Sequence, residues 1–275
     1  MAHLLIVGAG SGGAVVLDLL AREPSVSRVS IVEFDVYKPH NAYRHLFPAS
    51  GVGRLKAELA VEWVRGFRPE LVVEPIIADI TDSSRHAEFA QLAAECDVGV
   101  CAVDNEQAKY AFDSLMRLSG KPWTLGEVLS GGIGGWVHRF LPGGPCYGCV
   151  ASYLQREVKE ERDAPPPDYS NPGGPVPETT VPANKASIGV IASLHAMTTL
   201  ELLASSGRED APNSEAFSSL LFSLARVPGV FEEEFRTYRF RIPRSTGCLV
   251  CGATAIPQGD LDVALDAALD RLGAG

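Results

Sequence analysis

The chain has 275 residues and 29.3 kDa, enough for one large α/β domain, and its 46% hydrophobic and 21% charged residues exclude a disordered or fibrous protein. Lys and Arg number 24 against 34 Asp and Glu, a net charge of −10 that removes the bulk electrostatic drive toward nucleic acid or an anionic membrane, so neither is expected as a partner. No charged leader or cleavage site precedes the first apolar run, and a cytoplasmic location is expected.

In chain order, His3–Val7 is a short apolar run ending in glycines and reads as a buried strand. Gly13–Arg22 reads as a helix, Arg28–Glu33 as a β-branched strand, Lys56–Arg65 as a helix and Leu71–Ile77 as a strand. His86–Glu95 is helical, Asp97–Val103 a strand, Gln107–Leu118 a helix and Trp123–Gly126 a strand. This alternation predicts a mostly parallel sheet with helices on both faces. A further strand is expected over Trp136–Leu141. Asp163 to Pro182 then holds seven of the 19 prolines and reads as a surface loop or crossing segment. Asn184–Ala204 reads as a long helix, and Ala186–Leu203 within it, with Ser187, Ser193, His195 and Glu201, as too polar to span a membrane. Phe235–Ile242 reads as a strand and Leu261–Leu272 as a closing helix.

Gly8-Ala-Gly10-Ser-Gly12-Gly13 follows the first strand and opens a helix. Glycine there lets backbone N–H groups approach a phosphate, and the helix N-terminus adds partial positive charge. Glu33 ends the second strand, where an acidic side chain can hold ribose hydroxyls. Asp35, Asn41, Arg44 and Lys56 follow closely. A Lys and an Arg beside a phosphate loop would stabilise phosphate charge rather than guide a hydride, although each also fits a solvated surface charge. Asp104, with Asn105, comes at the end of a parallel strand, where open α/β sheets place functional groups. It fits either a Mg²⁺ ligand or the N-cap of the helix beyond it.

Cys146-Tyr-Gly-Cys149 and Cys248-Leu-Val-Cys251 are two knuckles roughly a hundred residues apart, each able to present two thiolates to a tetrahedral Zn²⁺. Together they predict a closed structural Cys₄ site, with Gly148 and Gly252 easing the turns. The competing reading is redox or merely buried thiols. Cys96 and Cys101 read as inert buried cysteines. His195, among small and apolar neighbours, reads as a hydrogen-bonded core histidine. Arg236, Arg239, Arg241 and Arg244 form either an exposed sheet face or a docking stripe for a carboxylate-bearing partner.

Gly8-x-Gly10-x-x-Gly13, Glu33-x-Asp35, Asn41-x-x-Arg44, Gly53-x-x-Lys56-Ala57, Val103-Asp104-Asn105 and Pro145-Cys146-x-x-Cys149 fall in one order that resembles the ThiF/MoeB/ubiquitin-activating-enzyme superfamily, from Leu4 to about Cys251. The helix after the proline-rich loop, Ala186 to Ala196, resembles the family's helix in this position. Glu33 departs from the commoner Asp. His45 stands where many members have Gln, and Arg-His at this place is similar to bacterial ubiquitin-like conjugation systems.

The resemblance implies a Rossmann-like fold with a Cys₄ zinc knuckle region and a crossover loop. It implies a single ThiF-type adenylation domain over 1–275: a nucleotide-binding half at 1–141 and, at 142–275, the knuckle, a crossover loop at 155–184 and an acceptor-binding half. It implies ATP and Mg²⁺ as cofactors beside Zn²⁺, with Glu33 on the ribose, Asn41, Arg44 and Lys56 on the phosphates and Asp104 on Mg²⁺. Gly8, Gly10, Gly13, Asp35 and Asn105 complete the cofactor-binding set, and Arg44, Lys56 and Asp104 are the expected catalytic residues. The implied reaction is adenylation of the C-terminal carboxylate of a ubiquitin-like protein or peptide by a homodimer, with a conjugating enzyme as a possible further partner. No Cys lies between Val150 and Gly247, where thioester-forming members carry theirs, so the chemistry is expected to stop at the acyl-adenylate. The competing readings are an NAD-dependent oxidoreductase and a non-catalytic partner-binding subunit.

Overall fold

The computed structural model describes residues 1–154, 182–205 and 217–252. Most of the expected crossover loop and all of the expected closing helix Leu261–Leu272 lie outside these residues. The strands are β1 (Ala2–Val7), β2 (Val26–Val32), β3 (Val72–Ile76), β4 (Val98–Cys101), β5 (Trp123–Val128), β6 (Gly134–Phe140), β7 (Ser219–Ser223) and β8 (Thr237–Phe240). The helices are α1 (Gly13–Ala21), α2 (Lys56–Arg65), α3 (His86–Glu95), α4 (Glu106–Leu118), α5 (Tyr147–Tyr153) and α6 (Lys185–Ser205).

All eight strands join one sheet in the order β3-β2-β1-β4-β5-β6-β7-β8. The pairings from β3 through β5 are parallel, and those from β5 through β8 antiparallel. This is the mostly parallel, two-faced α/β arrangement expected from the alternation of elements. The period of two explains why β1 reads as an unbroken apolar run. Leu4 and Ile6 enter the core under α1, α2 and α6, while Leu5 and Val7 enter the core under α3, α4 and α5.

The sequence reading had no element at α5 or β7. The first is a short helix opened by the Cys146 knuckle, and the second, Ser-Leu-Leu-Phe-Ser, is only five residues long. Helix α6 is long and apolar enough, by length and composition, to cross a membrane, contrary to the expectation of excess polarity. Its Ile188, Ile191, Ala192, Ala196 and Leu202 are instead buried, and the helix packs on β5, β6 and α1. His195, expected in the core, is there: its ring is buried, with Nε2 2.9 Å from Thr124 Oγ1, and burial pushes its pKa down to about 4.

Candidate functional site

In the sheet order, β1 lies between β2 and β4, and the chain direction of strand addition reverses there. A crevice at the C-terminal ends of strands at such a point is the ligand site of open α/β sheets. The glycine loop lines it. Gly8 sits at φ +96°, and a Cβ there would fall 2.6 Å from the Ala102 carbonyl oxygen; one on Gly13 would fall 2.2 Å from the Gly8 oxygen. The loop, the first turn of α1 and the end of β4 therefore interlock, and that packing brings the Val103-Asp104-Asn105 segment beside the loop.

Two side chains hold the loop in shape. Glu33, buried at the end of β2, accepts the Ala9 N–H at 2.8 Å with one carboxylate oxygen and the Asp35 N–H at 2.9 Å with the other. Each oxygen keeps a further lone pair, so ribose contact stays open to it. His45 Nε2 lies 2.8 Å from the Ala9 carbonyl, which can only accept, so Nε2 carries the proton. Burial, with the nearby Lys56 and Lys185 charges, pushes this imidazole down to about 4 despite that hydrogen bond, and it is neutral at pH 7. Sequence reasoning gave His45 no role; only its place after Arg44 pointed to it.

The other expected residues gather around the same edge. Lys56, nearly buried at the start of α2, pairs with Asp35 at 2.7 Å. Asn41 Oδ1 accepts the Lys38 N–H at 2.9 Å, and the Asn41 carbonyl accepts the N–H groups of Arg44 and His45, which sets the turn that carries half-buried Arg44. Asp104 is exposed. Asn105, not Asp104, caps α4 by accepting the Ala108 N–H at 3.1 Å, which answers the question of which residue serves as cap.

The second centre is the knuckle pair. The four buried sulfurs of Cys146, Cys149, Cys248 and Cys251 all lie within 4.8 Å of one another, with separations of 3.7, 3.6 and 3.5 Å between 146 and 149, 146 and 248, and 149 and 251. A tetrahedron of thiolates about 2.3 Å from Zn²⁺ has edges of about 3.8 Å, so the set fits zinc, whereas a disulfide needs about 2 Å. Backbone N–H groups of Ser245 and Val250 point at Cys149 and Cys248 sulfurs at 3.4 Å each, and Arg244 donates to the Cys251 carbonyl at 2.8 Å. Arg244 thus braces the knuckle, while Arg239 and Arg241 remain exposed. Gly148 and Gly252 ease the knuckles without positive φ; Gly252 N–H closes its turn on the Cys248 carbonyl at 2.8 Å. A Cβ would strike Val250 at 2.6 Å from Gly148 and the Thr246 carbonyl at 2.4 Å from Gly252, so what they supply is closeness. Cys96 and Cys101 are buried, and burial pushes both thiols up to about 12.

A polar chain runs from the knuckle across to β7, and no local pattern in the sequence points to it. Lys109, 4% exposed, donates to Glu106 at 2.6 Å and Glu127 at 2.7 Å. Tyr147, between the two knuckle cysteines, donates its hydroxyl to Glu106 at 2.7 Å and its backbone N–H to Asp113 at 2.9 Å. Glu127 also meets His138 at 3.1 Å, which meets Ser219 at 2.7 Å. Burial pulls the Lys109 ammonium down, but Glu127 and Glu106 outweigh it and hold its pKa above the ordinary value.

A glycine loop at the sheet's reversal point, cations behind it and a four-cysteine cluster able to hold a metal define the class: an α/β protein built to bind a nucleotide. The ThiF family matches residues 1–257, and the chain belongs to that family. It is 33% identical over 149 residues to the SAMP-activating enzyme E1 of Haloferax volcanii, covering 54% of this chain and 53% of that one. It is 27% identical over 269 residues to the adenylyltransferase and sulfurtransferase uba4 of Aspergillus fumigatus, covering 92% of this chain and 48% of that protein. It is 25% identical over 255 residues to the molybdopterin-synthase adenylyltransferase of Escherichia coli, covering 91% and 87%. The chain spans about half the length of the first two. The fold is that of Escherichia coli MccB, solved with ATP, at a TM-score of 0.64 and 17% identity, covering 91% of this chain and 67% of that one.

Proposed function

We propose that this chain uses ATP to adenylate the C-terminal carboxylate of a ubiquitin-like protein or peptide. The observation that carries the reading is the interlocked Gly8–Gly13 loop with Lys56, Arg44 and Asp104 gathered at the same sheet edge. Relatives named as adenylyltransferases and E1 enzymes support it over an NAD-dependent oxidoreductase.

A carboxylate oxygen of the acceptor attacks the α-phosphorus of ATP. The bond from that phosphorus to the bridging oxygen breaks, and pyrophosphate leaves with the electron pair. The nucleophile is already an anion, so no general base is required; alignment and charge stabilisation do the work. Glycine-loop N–H groups and the α1 N-terminus face the phosphates, Glu33 accepts from the ribose, and Arg44 and Lys56 neutralise charge building on the leaving pyrophosphate. Asn41 fixes the turn bearing Arg44. A single exposed carboxylate, Asp104, suits Mg²⁺, which binds through one or two carboxylates plus phosphate oxygens and would supply charge neutralisation on those oxygens. Zinc in the Cys₄ set would be structural, with no open coordination position. With no cysteine between Val150 and Gly247, the acyl-adenylate is the product handed on. A homodimer is part of the proposal.

The test is acceptor-dependent ATP–pyrophosphate exchange. Asp104→Ala, Arg44→Ala and Lys56→Ala should each lower exchange by about 10²–10³-fold with the melting temperature little changed. Exchange that is unaltered in Asp104→Ala at limiting Mg²⁺ would overturn the metal assignment. Absence of exchange in the wild type with every C-terminal glycine acceptor tried would favour a non-catalytic binding subunit.

A further inference from the structure

Helix α6 opens with Lys185 as its first residue. Asn184 precedes it and accepts the Ser187 N–H at 2.9 Å, so the cap is made by a residue suited to it. The Lys185 ammonium is buried, with no hydrogen-bond partner among the described residues. Each feature of this placement is unfavourable. A cation sits at the positive end of a 21-residue helix, it has lost its water, and it has gained no acceptor.

Among the described residues its surroundings offer a distant carboxylate and no hydrogen-bond acceptor. The acidic group it feels is Asp18, whose oxygens are already occupied by Arg22, at 2.8 and 3.3 Å, and by the Trp63 indole at 2.8 Å. Its other charged neighbourhood is cationic: its field, together with that of Lys56, helps keep His45 neutral. His45 is the residue that holds the Ala9 carbonyl within the glycine loop. One turn further along α6, Ile188 lies 3.9 Å from where a Cβ on Gly12 would be. The start of α6 therefore lies against the glycine loop, and the Lys185 charge acts on His45, which is bonded to that loop.

A cation left unpaired beside a phosphate loop has a specific complement, a polyanion that arrives with its own charge. Desolvation has already been met in the folded protein, so the anion gains a dry contact without displacing an internal partner. We infer that Lys185 is a further phosphate-binding residue of the nucleotide site, contacting the triphosphate of ATP from the second half of the chain beside Arg44 and Lys56. This assignment rests on the adenylation reading for the identity of the ligand as ATP. Burial lowers the proton affinity of Lys185, and bound phosphate would restore it.

The test is titration of the 275-residue, zinc-loaded chain with ATP and, separately, with inorganic tripolyphosphate, alongside melting temperatures without ligand. Lys185→Met should weaken both ligands at least tenfold, while its ligand-free melting temperature is equal to or above wild type, because an unpaired buried charge has gone. Lys185→Arg should bind ATP within about threefold of wild type. If Lys185→Met does not fold, Lys185→Gln carries the same readout. A Lys185→Met protein that binds ATP like wild type, or that melts markedly lower with unchanged affinity, would assign Lys185 a structural role and overturn the inference alone. A wild type that binds neither ATP nor tripolyphosphate would overturn both this inference and the adenylation reading.

Discussion

Two buried lysine ammoniums divide the molecule. At the first turn of α4, Lys109 lies between Glu106 and Glu127, both within 2.7 Å, and its chain of partners runs on through Tyr147 to the knuckle and through His138 to β7. At the first turn of α6, the Lys185 ammonium has no hydrogen-bond partner among the described residues. Both sit near a helix N-terminus, where a cation is disfavoured. The first is satisfied within the protein and holds elements together; the second leaves a charge to be met from outside. Burial alone does not separate a structural lysine from a ligand-binding one. What separates them is whether carboxylates were folded in with the cation.

The largest effect should come from removing what anchors the first lysine's network. Chelation, or Cys248→Ser, should reduce zinc from one per chain to none and lower the melting temperature sharply, since metal binding is folding free energy in such sites, about 10–16 kcal/mol in small zinc peptides. Full zinc in Cys248→Ser, read by atomic emission, would break the Cys₄ assignment. Next is Lys109→Met, which strips mostly buried Glu127 and half-buried Glu106 of their shared cation. Urea unfolding should register a loss of about 3–5 kcal/mol. A loss under 1 kcal/mol would erase the contrast with Lys185.

A smaller effect concerns pH. His45 and His195 both have folded values pushed down to about 4, below the ordinary 6.5, so the unfolded chain binds more protons between those values. Stability from these groups is present above pH 6.5 and is lost as pH falls toward 4, by about 1.4 kcal/mol per unit for each histidine. His45→Gln, which keeps a donor for the Ala9 carbonyl, should remove about half of that slope in denaturation series at pH 7, 6 and 5. An unchanged slope would place the titration elsewhere. The smallest expected change is Arg244→Ala. Loss of its single bond to the Cys251 carbonyl should cost about 1 kcal/mol while zinc content stays full.

The parts of this protein legible in the sequence were those whose signal is local. The strand–helix alternation, the glycine loop and the Cys-x-x-Cys pairs carry their chemistry within a few residues, and the element from Lys56 to Arg65 lies where its periodicity put it. What could not be read was set by contacts between distant residues. Lys109 occupies an ordinary polar position on an amphipathic helix, and its partner Glu127 comes from β5. His45 acts on Ala9, 36 positions away. β7 is five residues long and takes its identity from pairing with β6. Glu33 was read for its carboxylate at the end of β2, but nothing local indicated that both oxygens would be given to backbone amides.

The eight-stranded sheet is open, so it ends on β3 and β8 among the described residues, and each end is poorly suited to recruiting another chain. Pro75 stands in the middle of β3 and offers no N–H to a newcomer, with charged Glu74 beside it. β8 is four residues long, carries exposed Arg239 and is followed by exposed Arg241 and Pro243. A parallel-rich sheet forms slowly and exposes its edges while it does so. The termini of this one are built so that crowded, half-folded copies have little to zip onto, and soluble yield should depend on Pro75 and Arg239 more than native stability does.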